Sequence, residues 1–187
     1  MLNYQSPIKE NKSFSNLIIK EISPIMKLNL RGKNRDFLSA IGKNINMILP
    51  VEANTSSSSD KYTSMWLSPD EWLVVSNNPI NNENNDYEIE EILFNKISKN
   101  NLGAITDVSD QFVLINLSGE NVFELLSTGC PFDFINFRNK KGSVVQTLLA
   151  QIDIIIHHKE LNNINLFVRR SFSEHLMSWI NDSASRL

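Results

Sequence analysis

The chain has 187 residues, 41% of them hydrophobic and 21% charged, with a formal net charge of -3. Those proportions belong to a soluble globular protein long enough to bury about 70% of its unfolded surface, and the mild acidity excludes a general nucleic-acid or polyanion binder. The single cysteine, Cys130, excludes an internal disulfide framework and a metal site made of thiolates alone.

Residues 1–23 read as a polar amino-terminal extension without the apolar run of a signal peptide. No apolar stretch in the chain approaches the roughly 18 residues of a membrane span. The expectation is a cytoplasmic protein with no membrane and no nucleic-acid partner. From residue 24 the pattern becomes periodic. Met26, Leu28 and Leu30 alternate with Lys27, Asn29 and Arg31, the period of a half-buried strand. Phe37, Leu38, Ile41 and Ile45 then follow helical spacing. Glu52 to Ser64, with its serine run, reads as an exposed loop, as does the asparagine-rich stretch from Asn77 to Asp86. Between them Tyr62–Leu67 and Trp72–Ser76 read as strands joined by the turn Ser68-Pro69-Asp70-Glu71. Ile89, Ile92, Leu93 and Ile97 predict a second helix capped by Asp86, and Ala104–Val108 a further strand, giving the order βαββαβ.

The second half starts again. Phe112–Leu117 is a nearly continuous apolar run, the mark of a strand buried on both faces. Val122, Leu125 and Leu126 predict a helix that Gly129 and Pro131 stop. Val144–Ala150, Ile152–His157 and Ile164–Val168 read as strands. In the last helix Ser171 and Glu174 have capping-box spacing, and Phe172, Leu176, Trp179 and Ile180 share one stripe. The two halves look like copies at one constant offset: Leu28-x-Leu30-x-Gly32 with Leu38 and Gly42, against Ile115-x-Leu117-x-Gly119 with Leu125 and Gly129. The fold class is therefore α+β, one domain over residues 24–185 made of two similar sheet-plus-helix lobes, about 24–108 and 109–185.

Side chains capable of chemistry are few and poorly grouped. Cys130 follows a helix end, where the dipole opposes a thiolate, so a small buried residue in a turn is the better reading. His157 and His158 are neighbours in a strand and point to opposite faces, which denies them a common metal; His175 lies off the apolar stripe of its helix. Asp70-Glu71 and Asp107 with Asp110 sit where carboxylates cap turns. No glycine-rich dinucleotide or phosphate loop is present. No catalytic, cofactor-binding or metal residue is assigned. Two groups stand outside the clear helix stripes as candidate partner contacts, Trp66 with Trp72 and Arg169 with Arg170, because aromatic and arginine side chains anchor interfaces. For the arginines an internal salt bridge is an equal alternative.

Six segments in order carry a resemblance: Leu28-Asn-Leu-Arg-Gly32; Met65-Trp-Leu-Ser-Pro-Asp-Glu-Trp72; Ile105-Thr-Asp-Val-Ser-Asp110 with Leu114-Ile-Asn-Leu-Ser-Gly119; Gly129-Cys-Pro-Phe-Asp133; Gln146-Thr-Leu-Leu-Ala150; and Leu166-Phe-Val-Arg-Arg-Ser-Phe172 running to Trp179. Together they resemble the gamma-subunit family of heterotetrameric sarcosine oxidase over nearly the whole chain. The resemblance implies a non-catalytic subunit working with alpha, beta and delta chains that oxidatively demethylate sarcosine. FAD, FMN, NAD, zinc and tetrahydrofolate are then expected on the partner subunits and none on this chain. It also implies a fold similar to the folate-binding domain of glycine-cleavage aminomethyltransferases. Two further readings stay open: a subunit of a related complex such as N-methylglutamate dehydrogenase, and a free-standing tetrahydrofolate-binding protein.

Overall fold

The computed structural model describes residues 5–8, 11–22, 24–80 and 87–187. In chain order the strands and helices are β1 (Lys12–Phe14), β2 (Leu17–Glu21), β3 (Lys27–Arg31), α1 (Arg35–Ile45), β4 (Ser56–Ser58), β5 (Tyr62–Ser68), β6 (Glu71–Ser76), α2 (Tyr87–Leu93) and β7 (Ala104–Asp107). The remainder are β8 (Phe112–Ser118), α3 (Val122–Ser127), β9 (Val144–Leu149), β10 (Ile152–Glu160), β11 (Asn163–Arg169) and α4 (Arg170–Ala184). They form two compact units: a continuous one, Pro24–Asp110, and a discontinuous one, Met1–Ser23 with Gln111–Leu187.

The continuous unit is a five-stranded antiparallel sheet in the order β4-β5-β6-β3-β7. Met26, Leu28, Leu30, Trp72 and Val74 lie in one core with Phe37, Ile41 and Ile45 of α1 and Ile89, Leu93 and Ile97 of the second helical segment. Asn34 starts α1 by accepting the Phe37 N–H on its side chain at 2.7 Å. Asn46, at φ 50°, ends it in the left-handed conformation that asparagine tolerates. Gly42, the counterpart in the repeat of the stop at Gly129, lies inside the helix. After Leu93 the chain winds as a π-helical turn, Phe94–Ser98, which keeps Ile97 buried. The expected cap Asp86 falls outside the described residues.

Two expectations about this unit are corrected. The serine tract is not all loop: Ser56–Ser58 pairs with β5 as an edge strand, and Tyr62, Thr63 and Ser64 are buried. The order is therefore βαβββαβ. An edge strand held through its backbone gives serines no apolar alternation to betray it.

The discontinuous unit is a six-stranded antiparallel sheet, β1-β2-β8-β11-β10-β9. Val113, Ile115 and Leu117 of β8 share a core with Leu125 and Leu126 of α3 and Leu176, Met177 and Ile180 of α4. Leu114, on the opposite side of β8, is also buried, so both faces of that strand are covered. Gly119 turns the chain at φ 131°, where a Cβ would stand 2.2 Å from the Asn16 carbonyl oxygen. Here residues 11–22 depart from the reading of the first 23 as an extension outside the lobes. Leu17 and Ile19 are 2% and 0% exposed, and β2 pairs with β8 from Ile18↔Ser118 to Glu21↔Ile115.

The last helix also differs. It begins at Arg170 with no side-chain cap, so Ser171 lies within the first turn and no capping box forms. Its buried stripe is Ser173, Leu176, Met177, Ile180 and Ala184; Phe172 is 49% exposed. One helical position separates Phe172 from that stripe, about 100° of rotation. Among the described residues no helix is long and apolar enough to cross a membrane.

Candidate functional site

Each side chain singled out in the sequence has a definite surrounding. Cys130 is buried in the discontinuous core with its sulfur 3.7 Å from the Thr147 hydroxyl. Its N–H closes the end of α3 on the Leu126 carbonyl. His158 packs between Phe137, stacked at 5.5 Å, and the edge-on ring of Phe123 at 5.7 Å. Its Nδ1 lies 3.0 Å from the Lys140 carbonyl oxygen. A carbonyl only accepts, so Nδ1 is the donor of that bond. His157 is 5% exposed on the other side of β10. Burial holds its imidazole neutral, with a pKa lowered from 6.5 to about 4, and the charges of His158 and Lys159 add to the effect. His175 is exposed. Among the described residues no three His, Cys, Asp or Glu side chains gather as metal ligands.

The carboxylates serve turns and strand pairs. Asp70 accepts the Ser68 hydroxyl at 2.8 Å, a bond that lowers its pKa, and lies 3.7 Å from Lys33. Glu71 accepts from Asn29 at 2.7 Å and Arg31 at 3.1 Å across the β3–β6 pair. Asp107 accepts the Ser109 N–H at 2.8 Å.

Trp72, one of the candidate partner contacts, lies inside its unit. It is 3% exposed, sits 6.0 Å from Phe37, and donates its indole N–H to the Pro50 carbonyl at 2.7 Å. It is an anchor of its own unit. Trp66, directly opposite on β5, is half-buried against the same core. Arg169 is exposed at the end of β11, and Arg170 opens α4 and donates to the Gln5 carbonyl at 2.5 Å.

Two features lay outside the sequence reading. Lys27 is 1% exposed although its alternation places it on the polar face of β3. Its ammonium donates to the Ile25 and Ser109 carbonyls at 3.0 and 2.9 Å, and its N–H to the Ser109 hydroxyl at 2.9 Å. That clasp ties the start of the continuous unit to its end. The second is a cleft of about 310 Å³ lined by Pro7, Ile8 and Lys12 and by Glu174, Met177, Ser178 and Asn181 of α4. Neither carried a local sequence signal, since both depend on residues far apart in the chain.

A family model described as sarcosine oxidase, gamma subunit family, matches residues 31–186. No curated protein matches. The heterotetrameric sarcosine oxidase from Corynebacterium sp. U-96 in complex with pyrrole 2-carboxylate superposes with a TM-score of 0.80 at 21% identity, covering 91% of this chain and 84% of that one. The glycine cleavage system aminomethyltransferase T from Bartonella henselae gives a TM-score of 0.62 at 14% identity, covering 90% of this chain but 46% of that one. The shared fold extends to both.

Proposed function

The chain belongs to the sarcosine oxidase, gamma subunit family, and from that premise we propose that it is a non-catalytic subunit of a cytoplasmic heterotetramer that oxidatively demethylates sarcosine to glycine. In this reading alpha, beta and delta chains supply the active sites and carry FAD, FMN, NAD and zinc, with tetrahydrofolate accepting the one-carbon unit there. The observation that carries the reading is the family match along residues 31–186, supported by the likeness in fold to a heterotetrameric sarcosine oxidase. The way reactive side chains are used also supports it. Cys130 and His158 are built into the core, and Asp70, Glu71 and Asp107 bond to neighbouring side chains and backbone.

The test is co-expression with alpha, beta and delta chains, followed by co-purification and a sarcosine-dependent turnover assay with this chain present or omitted. The chain is expected to co-purify, its omission to impair the complex, and the chain alone to be colourless and inactive. Sarcosine turnover or flavin absorbance from the isolated chain overturns the proposal. The fold shared with aminomethyltransferase T favours, as a second reading, a free-standing tetrahydrofolate binder. Saturable tetrahydrofolate binding by the isolated chain, with no co-purification, would select it.

A further inference from the structure

We draw no further inference here: the strongest candidate, the amino-terminal turn of α4 without a side-chain cap, beside exposed Arg169 and Phe172, rests on a helix end alone, and nothing in the structure shows what covers it.

Discussion

Replacing Ile19 by alanine isolates the contribution of the amino-terminal segment to the fold. Ile19 is 0% exposed, opposes Leu117 in the β2–β8 pair, and lies in the core that holds α3 and α4. The substitution removes three carbons, at about 0.8 kcal/mol each for transfer alone. The unfilled space raises the loss to about 3–4 kcal/mol. Against a total stability of about 5–15 kcal/mol that is a large fraction. Ile18 on the same strand faces the other way, 39% exposed, and its replacement by alanine should cost no more than about 0.5 kcal/mol. Urea denaturation followed by circular dichroism measures the difference. With a slope of about 2 kcal/mol per molar urea, Ile19→Ala should lower the midpoint by about 1.5–2 M and Ile18→Ala by about 0.25 M or less. Equal shifts for the two variants, or an Ile19→Ala midpoint within 0.3 M (roughly the resolution of such titrations) of the wild type, would refute the reasoning.

Trp72→Ala should destabilise the isolated chain by about 3–5 kcal/mol, since it empties a core site beside Phe37. Trp72→Phe should cost about 1–2 kcal/mol, chiefly through the Pro50 carbonyl left without its donor; thermal melts of the two variants check the order. Glycine at Ala150 or Gln151 should raise the melting temperature by about 1–4 °C, because glycine adopts positive φ without a Cβ clash. His157 makes stability depend on pH. Its folded pKa of about 4 lies below the unfolded 6.5, so the unfolded chain takes up the proton first. The contribution is complete above pH 6.5 and falls by about 3 kcal/mol as pH drops towards 4. Asn165 and Val144, opposite it on the flanking strands, add no titrating group. Urea midpoints of wild type and His157→Gln between pH 4 and 7 should show a shallower slope in the variant.

Elements whose burial is written locally were legible. The alternation from Met26 to Leu30 and the helical spacing of Phe37, Ile41 and Ile45 correspond to β3 and α1 with little displacement. The hairpin of β5 and β6 and the strands β9 to β11 were equally plain. Missing from the sequence was anything set by strand order. Trp66 and Trp72 look alike as sequence, yet Trp72 lies on β6 between two neighbours while Trp66 is near the end of β5 beside the edge strand. Leu17-Ile18-Ile19 is a short apolar run among polar residues, and its partner β8 lies about a hundred positions away in the chain. The candidate site suffered most, because a clasp such as Lys27 with Ser109 is a long-range pairing that no local pattern encodes.

The repeat seen in the sequence shows why β2 was missed. In the continuous unit the order β4-β5-β6-β3 ends with β7, which follows the second helical segment along the chain. In the discontinuous unit β9-β10-β11-β8 reproduces that order, and the strand beyond β8 is β2. That place is taken from the other end of the chain. The correspondence holds residue by residue: Ile105 opposes Leu30 in one sheet, and Ile19 opposes Leu117 in the other, the second apolar position of each Leu/Ile-x-Leu-x-Gly segment. Both isoleucines are buried on the helix side of their sheets. A strand that completes a repeat from the opposite terminus carries no repeat signal at the expected offset. Its polar flanks then leave only Leu17 and Ile19 to mark it, too few for periodicity to register. Burial of those two side chains is therefore what ties the amino-terminal segment into the discontinuous unit.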